Sequence, residues 1–104
     1  MSQMTFRIPA DPTDPHAEAR AHVVSAIAAA AEMHGGRVTQ NAVRTILAAV
    51  PEWDVPPHIV GATYRSLRLR GVLAYDGLTE VSDDVAGGNA GKIHRTYVWV
   101  GDPR

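Results

Sequence analysis

Residues 56–73 read PPHIVGATYRSLRLRGVL, and the way this stretch winds decides how the rest of the chain is read. Pro57 suits a first helical position, where its missing N–H costs nothing. Val60, Tyr64 and Leu67 recur at i, i+4 and i+7, with Gly71 one turn further on. That spacing predicts a helix over 57–70 with an apolar back and Gly71 as its stop. At about 100° per residue, the opposite side carries His58, Ala62, Arg65, Ser66 and Leu69, flanked by Arg68 and Arg70. Such a front of cations, a hydroxyl and small residues suits a helix lying in a DNA major groove. Many solvent-facing helices share it.

Upstream, residues 1–13 read as an arm, since Pro9 and Pro12 break regular structure. Asp14-Pro15 then opens a helix with Asp as N-cap and Pro at N1, and the helix runs to about His34, where Gly35-Gly36 ends it. Val24, Ile27, Ala28 and Ala31 form its inner stripe. Arg37-Val38 is long enough only for a minimal strand. Thr39 is the expected N-cap of a second helix over 40–50, with Val43, Ile46, Leu47 and Val50 inward and Pro51 as its stop. The connection that follows holds Trp53, expected half-buried against the helices.

Downstream of Gly71 the pattern turns to strands. Residues 72–75 (VLAY) and 96–100 (TYVWV) are rich in β-branched and aromatic residues. The polar, glycine-containing stretch 76–95 between them predicts a hairpin with a long tip, and residues 82–91 (SDDVAGGNAG) are the expected most mobile internal segment. The expected core is Val24, Ile27, Ala31, Val43, Ile46, Leu47, Val60, Tyr64, Leu67, Val72, Val98 and Val100.

Composition sets the outer bounds. A chain of 104 residues with 45% apolar and 20% charged residues fits one globular domain, taken as 14–104 behind the arm. No cysteine is present, which excludes disulfides and thiol chemistry and fits a reducing cytoplasm. No apolar run approaches the ~18 residues of a membrane span, and the N-terminus lacks the apolar core of a secretory signal. Ten Lys plus Arg against eleven Asp plus Glu give a net charge of −1, unlike the strongly basic balance common among DNA-binding domains. The charges are uneven, however. Arg65, Arg68 and Arg70 stand together without an acid, and Lys92, His94 and Arg95 form a second basic group.

The element order helix, short strand, helix, helix, strand, loop, strand is that of an α+β winged helix, a three-helix helix-turn-helix core with a β-hairpin wing. At residues 58–73 (HIVGATYRSLRLRGVL) and 92–100 (KIHRTYVWV), the chain resembles the small winged helix-turn-helix proteins of actinobacterial bacteriophages. The matching positions are Val60, Gly61, Ala62, Tyr64, Arg65, Leu67, Gly71 and Val72, with Arg95 and Trp99 at the close, spanning roughly 16–100. The resemblance implies a DNA-binding fold and leaves the operator and role open.

On this reading Arg65 reaches a guanine edge, while Arg68 and Arg70 suit phosphates. His58, Ala62, Ser66 and Leu69 complete the helical face, although Leu69 fits a partner chain equally well. Lys92, His94 and Arg95 suit the backbone or minor groove, or serve as a charged edge that resists strand aggregation. Arg44, with Asn41 and Thr45, is placed to hold a phosphate near the second helix's N-terminus. The expected activity is sequence-specific double-stranded DNA binding, in transcription regulation or another DNA transaction, in a bacterial host cytoplasm. The alternative is a protein-interaction module for a host or phage protein, and a homodimer fits either. Residues 86–93 (AGGNAGKI) fail as a phosphate loop, because Ala86 and Ile93 replace its first Gly and its Ser/Thr and a strand follows. The five histidines lack metal-ligand spacing, so no metal, cofactor or enzymatic activity is expected.

Overall fold

The computed structural model describes residues 15–101. The expected arm at 1–13 and the expected cap Asp14 lie outside the described residues, whereas Pro15, expected at N1, lies in a turn before α1, whose N-cap is His16. Seven elements follow one another: α1 (Ala17–Met33), β1 (Arg37–Val38), α2 (Gln40–Ala48), a 3-10 turn (Pro51–Trp53), α3 (Pro57–Leu69), β2 (Leu73–Val81) and β3 (Ile93–Trp99). The strands form one antiparallel sheet in the order β1-β3-β2. Three helices with a three-stranded antiparallel sheet make an α+β fold compatible with a winged helix. Among the described residues no helix is long and apolar enough to cross a membrane.

Local chemistry sets the element ends. The Thr39 hydroxyl accepts the Ala42 N–H at 3.1 Å, as an N-cap should, and Pro57 opens α3. Gly35 and Gly36 take φ of +65° and +100°, and the Gly36 N–H reaches back to the Ala31 carbonyl at 2.7 Å. Gly36 then offers its own carbonyl to the Trp99 N–H, which ties the end of α1 to the sheet. Trp53 is half-buried, with its ring stacked on His22 at 4.4 Å.

The core joins α1, α2 and α3 to one face of the sheet, and three faces differ from the sequence expectation. On α1 the buried stripe widens to include Val23, Ala26 and Ala30, since alanines let α2 and α3 approach closely. On α3 the buried set is Ile59, Thr63, Tyr64 and Leu67, with Val60 only packed at its rim. Thr63 can be buried because its hydroxyl donates to the Ile59 carbonyl at 2.7 Å. On β3 the expected inward pair Val98 and Val100 is wrong. Tyr97 and Trp99 are buried, and Val100 is 61% exposed. Strand side chains alternate, so a one-residue error exchanges the two faces. The register Leu73↔Trp99 and Tyr75↔Tyr97 puts the aromatics toward α3, where Tyr64 stacks on Tyr97 at 4.9 Å.

The strands also run further than the sequence suggested. The expected loop at 76–95 shrinks to 82–92, because pairing resumes after an irregularity with Thr79↔Arg95, Glu80↔His94 and Val81↔Ile93. Asp76 explains the interruption. Its carboxylate accepts the Thr96 hydroxyl at 2.7 Å, the Leu78 N–H at 2.9 Å and the Arg37 Nε at 3.1 Å, which gathers the strand into a bulge.

Candidate nucleic-acid interface

α3 turns its inner face to α1 and the sheet, so Ala62, Arg65, Arg68, Leu69 and Arg70 are exposed and Ser66 is partly so. Ala62, Arg65, Ser66, Leu69 and Arg70 line a shallow open depression. Its lining combines two small residues, two arginines and Leu69, which is 70% exposed. These candidates therefore lie together, as the helical spacing implied. His58 does not join them. It sits at the opposite end of α3, about 15 Å along the axis from Arg68, with its ring edge-on to His16 at 5.4 Å.

The hairpin brings a further cation to the end of α3. The guanidinium of Arg68 lies over the Tyr75 ring at 5.1 Å from its centroid, and that of Arg95 at 4.8 Å. Tyr75 in turn stacks on Tyr97 at 5.3 Å. A continuous series Tyr64–Tyr97–Tyr75 thus runs from the core to the surface and ends beneath two positive charges. Burial, aided by Tyr75, pushes the Tyr97 phenol above its usual range, while Arg68 and Arg95 pull it back. Tyr64, deeper still, is pushed up by burial, and its hydroxyl has no hydrogen-bond partner among the described residues. Lys92 is exposed where the hairpin returns.

Arg37 and Arg44 are occupied by the protein's own acids. Arg44 bonds the Asn41 side-chain oxygen, the Asp83 carboxylate at 3.0 Å and Ser82 Oγ at 3.4 Å, and it lies 4.0 Å from Asp84. The N-terminus of α2, expected to offer a phosphate site, is filled in the same way. The Asn41 N–H donates to Glu80 Oε1 at 3.0 Å, and Asn41 Nδ2 donates to the Val81 carbonyl at 2.9 Å. A carboxylate at a helix N-terminus uses the N–H groups and dipole that an incoming phosphate would need. His94 contacts the same Glu80 at 2.6 Å, so it braces the hairpin against α2. Thr45 donates back to the Asn41 carbonyl. By contrast, no ion pair among the described residues uses Arg65, Arg68, Arg70, Lys92 or Arg95.

The hairpin tip is knit rather than open. Asp84 accepts the Gly87 N–H at 2.9 Å and the Asn89 amide at 3.0 Å, Ser82 donates to the Lys92 carbonyl, and Gly91 donates to the Ser82 carbonyl. The Asn89 amide and the Gly87 N–H hold the Asp84 carboxyl below its usual range. Asp83 and Asp84 face Arg44 on α2.

Sequence reasoning missed Tyr75 and the pairing of four acids on the α2 side. The signal for Tyr75 was present. An aromatic two residues beyond the buried Leu73 shares its face of the strand, just past the end of α3. The acids gave no such signal, because their partners lie about 40 residues away in sequence. Among the described residues no group of three or more His, Asp or Glu side chains could hold a metal. No known protein family, no curated protein and no solved structure matches this chain.

Proposed function

We propose that this chain is a winged-helix protein that binds double-stranded DNA sequence-specifically, in transcription regulation or another DNA transaction. One observation carries the reading: among the described residues, Arg65, Arg68, Arg70, Lys92 and Arg95 enter no ion pair, and they lie on the outer face of α3 and the hairpin beside it. A near-neutral net charge is compatible with binding when the acids lie elsewhere, because attraction to phosphate follows the local potential. Arg65 stands mid-helix beside Ala62 and Ser66, whose small side chains let the helix approach base edges closely. It is the residue assigned to a guanine O6/N7 pair. Arg70, Arg68, Arg95 and Lys92 are assigned to the backbone, where they position without specifying.

A helix-end effect competes for part of this account. Arg68 and Arg70 at the C-terminus of α3 complement its dipole, a term of roughly 0.3–1 kcal/mol each. Arg65 and Arg95 have no such role. The experiment is selection of bound fragments from random duplex DNA, which tests binding and reveals any half-site symmetry together. Recovery of an enriched motif supports the reading, and failure to enrich any sequence removes the sequence-specific part of it. Failure to retain any duplex favours the second reading, a protein-docking module. Its supporting observation is the exposed Leu78, Val81, Val85 and Ile93 along the hairpin.

A further inference from the structure

The place where α3 meets the hairpin contains an unusual juxtaposition of charge. Two guanidiniums sit over one aromatic ring, at 5.1 and 4.8 Å from its centroid, and they come from elements far apart in sequence. Their charges therefore lie within about 10 Å of each other, about one Debye length at 0.1 M salt, so each feels the other. Neither has a carboxylate partner among the described residues. The ring face offsets part of the repulsion, by roughly 0.5–1 kcal/mol for each cation at an exposed site. What remains favours an anion between them.

We infer that Arg68, Tyr75 and Arg95 form a clamp for a single backbone phosphate, with both arginines on the same phosphate and Tyr75 holding them in place. The inference rests on the DNA-binding reading and adds a residue and a stoichiometry to it. Tyr75 is well fixed for the task. It stacks on Tyr97, which stacks on the core residue Tyr64, while 42% of Tyr75 stays exposed. The hairpin is held from behind by the Gln40 side chain, which donates to the Arg95 carbonyl at 3.2 Å, and by Glu80 between Asn41 and His94. The clamp also sits at the junction of the two elements, so one phosphate there sets the angle at which α3 meets the groove.

The shared phosphate makes a numerical prediction. Binding affinity falls with salt with a log–log slope of about −0.9 for each phosphate neutralised. Full-length wild type, Arg68→Gln, Arg95→Gln and the double variant are titrated with a duplex of scrambled sequence across a salt series. The double variant is expected to flatten the slope by about 0.9 in total, as for one phosphate, and two independent phosphates would flatten it by about 1.8. Tyr75→Phe keeps the ring and is expected to bind as wild type, whereas Tyr75→Leu is expected to weaken every duplex about two- to fivefold. Both arginines are exposed, so their variants keep the fold even if Tyr75→Leu does not. A slope change near 1.8, or none, in a wild type that binds DNA overturns the clamp alone. A wild type that binds no duplex overturns the DNA-binding reading and the clamp with it.

Discussion

Arg44 on α2 and Arg65 on α3 are the same residue type, each on an outward part of a helix in one small layer, yet their surroundings are opposite. Arg44 is wrapped by Asn41, Ser82, Asp83 and Asp84. Arg65 has no ion-pair partner among the described residues and lines an open depression with the small side chains of Ala62 and Ser66. The difference extends to whole regions. The α2 side of the hairpin gathers Arg37 and Arg44 with Asp76, Glu80, Asp83 and Asp84, so its cations are paired and its acids are in excess. The α3 side carries Arg65, Arg68, Arg70, Lys92 and Arg95, none of them in an ion pair among the described residues. A net charge of −1 thus conceals two unlike faces, one acid-rich and one cationic, and the acids hold the hairpin against α2.

The largest expected effect lies on the acid-rich side. Asp76→Ala removes the shared acceptor of Arg37, Leu78 N–H and the buried Thr96 hydroxyl. Leaving such groups unpaired costs about 1–3 kcal/mol of stability, which urea unfolding will read. The same variant should bind duplex as wild type does under folding conditions. A loss of binding at full folding would break the separation of the two faces.

Acid should reveal the same residue. Burial pushes the Asp76 carboxyl up, but the Thr96 hydroxyl, the Leu78 amide and Arg37 together hold it below its usual value. A carboxyl depressed in the folded state stabilises the fold fully above the unfolded value, about 3.9. That contribution is lost as pH falls through the lower folded value. Unfolding midpoints should therefore drop below about pH 4, and Asp76→Asn should remove part of that drop. An acid limb identical in the variant would show that the carboxylate is not held as described.

Arg44→Ala is expected to act more weakly. Its contacts are partly solvated, and such pairs contribute about 0–1 kcal/mol. Amide exchange in residues 82–92 should nevertheless quicken, while that in α3 stays unchanged. The smallest effect belongs to the tip itself. The Ser82 and Gly91 amides, bonded across the turn, should exchange several-fold more slowly than those of Ala86 and Ala90. Equal exchange throughout 82–91 would restore the mobile loop that the glycines suggested.

Helix periodicity and caps were legible in the sequence because they depend on near neighbours. Thr39, Pro57, Gly35 and Gly71 mark element ends that the structure keeps. The outward set on α3 follows from the same periodicity. The face of β3 was not legible, since Tyr97, Val98, Trp99 and Val100 are apolar on both phases and only the register with β2 chooses between them. The extent of the hairpin was hidden for a related reason. Residues 76–81 look polar and loop-like, but their side chains bond Thr96, Arg37, Asn41 and His94, far away in sequence. Candidate residues divided along the same line. Arg65 and its helical neighbours needed only local geometry, whereas the occupation of Arg44 and His94 needed the tertiary fold.

The central claim is that the cations without acid partners contact DNA and the paired ones do not. Its most direct test compares wild type, Arg65→Ala and Arg44→Ala for affinity to a selected site and to scrambled duplex at one fixed salt concentration. Arg65→Ala should lose about 1–3 kcal/mol on the selected site and much less on scrambled duplex. Arg44→Ala should match wild type on both. Equal losses from the two substitutions, or none from either, would contradict the account.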